Sequence, residues 1–367
     1  MLFDESLGHP ENQQKLMNAW QANRIPHALL LHGPEGCGKE AFAIGIAQLL
    51  NAADENGVID RESSVFRKIA QFQHPDVQFI FPTPAQSNAK PEELQAALQE
   101  KAKNPYRRVT FTGKNTFIGI DTIRELKKEA GYRLYEGQKK VFIIAEAEEL
   151  RPEAANALLK LLEEPPQNLK LILVTANLHK LLPTIKSRCQ MLRFSPMGES
   201  QIAAIVRRFV PKVDERDLAA IIRLSGFNLK RTFEFLDKNA LQNRDLAIDF
   251  LRKAILIHKS QELMALVEPL TAKKDRDDAR QMLWFLLLWF QDILHINKGV
   301  KNDREIRNVD KADTLRKFIA FTPTAEIDGI VREVEATIRE LDDPRNLNPL
   351  LLLTHLAIRL NPLLKKA

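Results

Sequence analysis

The stretch Gly33-Pro34-Glu35-Gly36-Cys37-Gly38-Lys39 constrains this chain more than any other. A short apolar run of buried-strand length, Ala28 to Leu31, precedes it. A run of helix formers with apolar residues at Phe42, Ile46, Leu49 and Leu50 follows. Strand, glycine-rich turn and helix N-terminus in that order make a nest for an anion. Backbone N–H groups converge on it, the helix dipole favours negative charge, and Lys39 adds a point charge. Gly33, Gly36, Gly38 and Lys39 are therefore the candidate phosphate-contacting residues. The pattern G-x-x-x-x-G-K-[ST] is complete through Lys39 and then breaks. Position 40, where a hydroxyl should ligate Mg²⁺, is Glu40.

A seven-residue match between a strand and a helix points to a phosphate-loop NTPase fold. It says less about catalysis, because phosphoryl transfer depends on a metal bridging the β- and γ-phosphates. The second element of such a site is an apolar strand ending in Asp-Glu, the aspartate for the magnesium shell and the glutamate to polarise water. Here the strand Val141 to Ile144 ends in Ala145-Glu146, and the aspartate is gone. Glu146 is either a remnant of that pair or an ordinary helix-start carboxylate. Glu40 and Ala145 are independent losses that both strike metal coordination. Such a chain is expected to hold no metal and to have given up hydrolysis.

Composition narrows the setting. At 367 residues the chain is long enough for two or three domains with their own cores. Fifty-four Lys and Arg against 48 Asp and Glu leave +6, which suits a nucleic-acid neighbour and equally a merely basic protein. Two cysteines, Cys37 and Cys189, exclude a disulfide framework and a cysteine-based zinc site and fit a reducing compartment. Asp4 and Glu5 stand where a secretory signal needs positive charge. The longest apolar run, Met282 to Phe290, is far short of the ~20 residues of a membrane span. The expectation is a soluble, cytoplasmic protein with no membrane partner.

In chain order, an N-terminal helix is predicted over 11–23, and a second helix follows the phosphate loop to residue 51. A second apolar run covers 78–81. Residues 82–89 read as a linker, 91–103 have helical periodicity, and 83–115 as a whole reads as an insertion or mobile segment. Asp121 is a plausible N-cap for a helix to about residue 132. Strands are predicted over 141–145, 171–175 and 190–194, with a helix from Pro152 to the stop at Pro165-Pro166 and a short one over 181–187. Strands alternating with helices imply a parallel sheet. After Pro196 the patterns are helical throughout. Trp284, Trp289 and Phe290 are expected in a helical core, the alternative being an interface with another subunit.

The third candidate element is Thr184-Ile185-Lys186-Ser187-Arg188-Cys189-Gln190. An arginine just before the last strand is poorly placed for its own phosphate loop and well placed to face a neighbour. Spacing alone leaves two readings, a solvated charge or an arginine finger. The segments HALLLHGPEGCGK, IDTIRELKKEAGYRLYEGQKKVFIIAEAEEL, EAANALLKLLEEPPQNLKLILVTAN and LLPTIKSRCQMLRF together resemble the bacterial clamp-loader branch of the AAA+ ATPases. The similarity is densest over 24–50 and 117–194, and ALLKLLEEPP with the SRC triplet is its most specific part. Beyond Pro196 the likeness is one of architecture.

That resemblance implies an α/β AAA+ P-loop core over 1–195, with a parallel sheet and flanking helices. An all-α lid over 196–243 and an all-α collar over 244–367 would follow. Two kinds of subunit in the family carry SRC: motor subunits (gamma and tau), with intact metal-binding motifs and a four-cysteine zinc module, and a kind with degraded nucleotide motifs. This chain has no cysteine between 51 and 74 and is similar to the second kind, so no zinc is expected. Carried across, Arg188 resembles the finger that completes a neighbouring motor subunit's ATP site in trans. Thr175 and Asn177 stand near the sensor-1 position. Lys230 and Arg231 stand near sensor 2, where helix-surface charges are expected instead. The implied partners are the other clamp-loader subunits (gamma/tau and delta), the sliding clamp, and primer–template DNA reached through the assembly. No cofactor is required; ATP or ADP held without hydrolysis is the variant of that reading. The alternative is a weakly active, gamma/tau-like ATPase using Glu40 as a substitute magnesium ligand.

Overall fold

The computed structural model describes residues 8–54, 56–85, 90–109, 111, 114–256, 260–271, 276–299, 306–343, 345 and 347–365. Two compact units emerge, residues 1–212 with 227–234, and residues 213–226 with 235–367.

The first unit runs α1 (Pro10–Gln21), β1 (Ala28–His32), α2 (Lys39–Ala52), α3 (Ser64–Ala70), β2 (Val77–Ile80), β3 (Thr83–Pro84) and α4 (Pro91–Lys103). It continues through β4 (Thr116–Phe117), α5 (Ile120–Ala130), β5 (Lys140–Ile144), α6 (Pro152–Glu163), β6 (Leu169–Thr175), α7 (Pro183–Lys186), β7 (Gln190–Arg193) and α8 (Glu199–Phe209). Among the described residues the main sheet has five parallel strands in the order β2-β5-β6-β1-β7. Its central strands are apolar without alternation because helices cover both faces. The pleat still sorts their side chains. Leu29, Leu31, Val141, Ile143, Ile172 and Val174 pack on the α2 side with Phe42. Ala28, Leu30, Phe142, Ile144, Leu171 and Leu173 pack on the other side with Leu158 of α6. The phosphate loop leaves the C-terminal end of β1, where open parallel sheets place their ligands.

The loop between α5 and β5 is ordered by two buried side chains. Asp76 accepts from the backbone N–H groups of Tyr135, Glu136 and Gly137 through Oδ2 (3.0, 2.9 and 2.8 Å). Burial would raise the Asp76 pKa, but these amides outweigh it and lower it. Asn51 Oδ1 accepts from the next two amides, Gln138 and Lys139.

Two sequence expectations need correction. Gly119, not Asp121, is the N-cap of α5; Asp121 lies in the first turn and pairs with Arg124 at 3.0 Å. A carboxylate there still meets the positive end of the helix dipole, which is why the signal misled by two residues. The stretch 83–115, read as an insertion or mobile segment, contains β3 and α4, and β3 pairs antiparallel with β4 just beyond it. Of the predicted linker over 82–89, residues 86–89 lie outside the described residues.

The remaining elements are α9 (Glu215–Leu224), α10 (Leu229–Asp237), α11 (Ala240–Ile255), α12 (Ser260–Thr271), α13 (Asp277–Asn297), α14 (Ala312–Phe321), α15 (Ile327–Leu341) and α16 (Pro349–Leu364). Residues 229–234 of α10 belong to the first unit. In the second unit α13 runs through the core, with Trp289 and Phe290 buried, as a core reading of those residues expects, and Trp284 partly so. Arg244 is buried and forms a two-pronged pair with Asp310 (2.8 and 2.7 Å). Among the described residues no helix is long and apolar enough to cross a membrane.

Candidate functional site

The phosphate loop is built as its glycines require. Gly33 has φ +148° and a Cβ there would fall 2.2 Å from the Phe194 carbonyl oxygen. Gly36 has φ +71°, and a Cβ would fall 1.9 Å from Asn228 Oδ1. Only glycine meets both the dihedral and the space. Gly38 is the N-cap of α2 at φ +82°. The start of α10 sits directly on this loop, with the Leu229 N–H donating to the Gly36 carbonyl at 2.9 Å.

Lys39 is turned back on its own loop. Its ammonium donates to the carbonyls of Gly33 (2.7 Å) and Pro34 and lies 3.5 Å from Cys37 Sγ. Burial pushes its pKa down. Glu40, one residue on, is 8% exposed. One carboxylate oxygen takes Lys101 of α4, and the other takes Lys230 of α10 at 2.6 Å. Lys101 is 2% exposed and also donates to the Arg107 carbonyl at 2.7 Å. Lys230 reaches Glu146 at 3.2 Å as well. Burial would raise the Glu40 carboxyl, but the two ammoniums outweigh it and hold its pKa at about 2. Glu35 pairs with Arg108, which holds its pKa down against burial.

A cleft of about 340 Å³ opens beside these groups. Its lining carries five glutamates (35, 40, 146, 148 and 149) against Lys39, Arg108 and Lys230. Glu148 Oε1 accepts from the Ala176 and Asn177 amides at 2.9 and 3.2 Å, and Thr175 Oγ1 accepts from the latter at 3.0 Å. A magnesium–triphosphate here would meet a lysine-paired carboxylate in place of a hydroxyl ligand. Ala145, buried after β5 where the motif has an aspartate, offers it no side-chain oxygen. The lining charge is negative and the Lys39 donors are engaged. The donor set does not fit that group.

Arg188 lies between α7 and the edge strand β7, outside the cleft lining. Its side chain is 36% exposed. One guanidinium nitrogen pairs with Glu163 at 2.7 Å, and the other donates to the Thr184 carbonyl at 3.0 Å.

The family model described as DNA polymerase III, delta subunit, matches residues 8–198, and that described as DNA polymerase III, delta subunit, C terminal, matches residues 238–361. The chain belongs to the DNA polymerase III delta subunit family. Its core is the parallel sheet with flanking helices and a phosphate loop that its motifs led one to expect. It is 29% identical over 254 residues to DNA polymerase III subunit gamma/tau of Mycobacterium tuberculosis, covering 68% of this chain and 39% of that protein's length. It is 25% identical to the subunit delta' of Escherichia coli over 350 residues, covering 95% of this chain and 92% of that protein. It is also 25% identical to the delta' subunit of Bacillus subtilis, covering 79% and 78%.

Within this delta-family member, Gly33, Gly36, Gly38 and Lys39 come together as one loop, and Arg188 stands apart from them. Lys230 is not the helix-surface charge expected from sequence; its ammonium is buried against Glu40 and Glu146. Arg231 is half-buried. Glu146 takes a left-handed backbone (φ +49°) as the N-cap of a short 3-10 turn over Ala147–Glu149, the helix-start place expected of it, and also lines the cleft. Sequence reasoning missed Lys101 and Arg108. The available signal was a glutamate at a position that α2 buries, since such a charge requires a partner. Nothing in the sequence says which of many lysines supplies it.

Proposed function

We propose that this chain is a delta-prime-type subunit of the DNA polymerase III clamp loader. It would act in the cytoplasm in an assembly with gamma/tau and delta subunits that places the sliding clamp on primed DNA. It would not hydrolyse ATP itself. The observation that carries this reading is Glu40, whose carboxylate is taken up by two lysines at the position where a motor subunit needs a magnesium ligand. The same reading makes residues 1–195 the core, 196–243 a lid and 244–367 a collar that meets neighbouring subunits.

The active contribution is assigned to Arg188. A guanidinium is planar, permanently charged and forked, so it suits charge spread over phosphoryl oxygens. Supplied in trans, such a group accelerates phosphoryl transfer by about 10³–10⁵. Glu163 holds the fork at the edge of the core. A neighbour's triphosphate carries more negative charge and would take the fork over. Contacts with DNA phosphates through the assembly would be salt-dependent and blind to sequence.

The gamma/tau similarity favours a second reading, a weakly active ATPase, but Glu40 would then place a carboxylate beside triphosphate. Steady-state ATP turnover of the reconstituted clamp loader separates the two. Arg188→Ala in this chain is expected to lower turnover at least several-fold, with Arg188→Lys recovering part of it. Unchanged turnover in an assembly that has incorporated Arg188→Ala would rule out the trans role.

A further inference from the structure

We propose that Glu40 is a resident anion: its carboxylate does for this chain what a bound polyphosphate does in a working phosphate-loop site, drawing cations from separate segments onto the loop. The closed arrangement of those segments is then fixed by the chain itself, independently of nucleotide. This rests on the reading of the site as non-hydrolysing and says what has replaced the ligand.

Three stretches far apart in sequence meet at this carboxylate. The phosphate loop and the first turn of α2 supply Glu35, Gly36 and Glu40. The end of α4 and the turn after it supply Lys101 and Arg108, and the start of α10 supplies Lys230. Each carboxylate oxygen of Glu40 takes a different ammonium, one from each of the other two stretches. A single two-oxygen anion is thus the common member of both ties. Lys101 is 2% exposed, so its charge is committed to this contact and not shared with solvent. It also fixes the turn that follows α4 by donating to the Arg107 carbonyl.

The surrounding contacts complete the closure. Leu229 N–H caps the Gly36 carbonyl, and Arg108 meets Glu35 across the mouth of the loop. Behind them Tyr106 lies edge-on to Phe209 (5.8 Å) and stacks on Phe233 (6.5 Å), joining the turn after α4 to α8 and α10. Removing one member of a buried ion pair leaves the other charge stranded. Loss of the anion would strand Lys101 and leave Lys230 with Glu146 alone, and both segments would loosen. An external anion of the right size would then relieve them.

Hydrogen exchange on the full-length chain, with and without millimolar inorganic pyrophosphate, tests this. In the unaltered chain, exchange at 101–108 and 228–233 is expected to be the same under both conditions. In Glu40→Ala, both segments are expected to lose about tenfold in protection, and pyrophosphate is expected to restore it. Glu40→Gln keeps the volume and is expected to lose protection in the same two segments. Three results would overturn the proposal. One is a change on adding pyrophosphate to the unaltered chain. Another is wild-type protection in the variants. The third is a loss in Glu40→Ala that pyrophosphate leaves unrepaired. If neither variant folds, the unaltered chain decides by the first criterion. None of these outcomes bears on Arg188, whose role is read from turnover of the assembly.

Discussion

Glu40 shows how one residue changes the business of a site. Its partners hold its carboxyl at about 2, well below the ordinary value of 4.5. A group with a depressed folded pKa stabilises the fold fully above its unfolded pKa, and that stability drains as pH falls through the folded value. Lys230 has the opposite sign. Its pKa is raised because Glu40 and Glu146 outweigh burial, so its contribution is present below 10.5 and is lost only as pH rises through the higher folded value. Urea unfolding is therefore expected to lose on the order of 3 kcal/mol between about pH 5 and pH 2 from this group, and Glu40→Gln is expected to lack that acid limb. At neutral pH, Glu40→Ala is expected to cost about 3–5 kcal/mol, because buried Lys101 loses its counter-ion and Lys230 keeps only Glu146. The absence of a metal-ligating hydroxyl at position 40 was legible in the sequence. The partners were not, because an ion pair 61 residues apart in sequence leaves no periodic trace.

At the scale of elements, periodicity and turn chemistry were good guides to where helices and strands lie, and poor guides to what they carry. Helix α4 was predicted at its observed bounds from the spacing of its apolar residues. Lys101 continues the stripe of Leu94 and Leu98 but carries a charge, and so its burial could not be read from hydropathy. Asp76 and Asp121 make the same point from opposite sides. Asp121 looked like a cap and is an exposed first-turn carboxylate, so Asp121→Ala is expected to change stability by no more than about 0.5 kcal/mol. Asp76 gave no sequence signal, yet it gathers the amides of 135–137 from a buried position. Asp76→Ala leaves those donors unpaired and is expected to cost about 3 kcal/mol, read as a fall in the urea midpoint with an unchanged slope.

For the whole molecule, the parallel direction of the strands was legible from their alternation with helices, whereas the order β2-β5-β6-β1-β7 was not, because alternation does not say which strands become neighbours. The helical second unit was legible as a class, from the absence of strand patterns after Pro196, but its buried Arg244–Asp310 pair was not. A fold built to grip triphosphate here grips its own carboxylate, while a half-exposed arginine stands at the edge of the sheet. Calorimetric titration of the purified full-length chain with ATP, in the presence and absence of magnesium, tests that contrast most directly. No saturable binding is expected up to about 1 mM under either condition. One-to-one, magnesium-dependent binding in the micromolar range would contradict it.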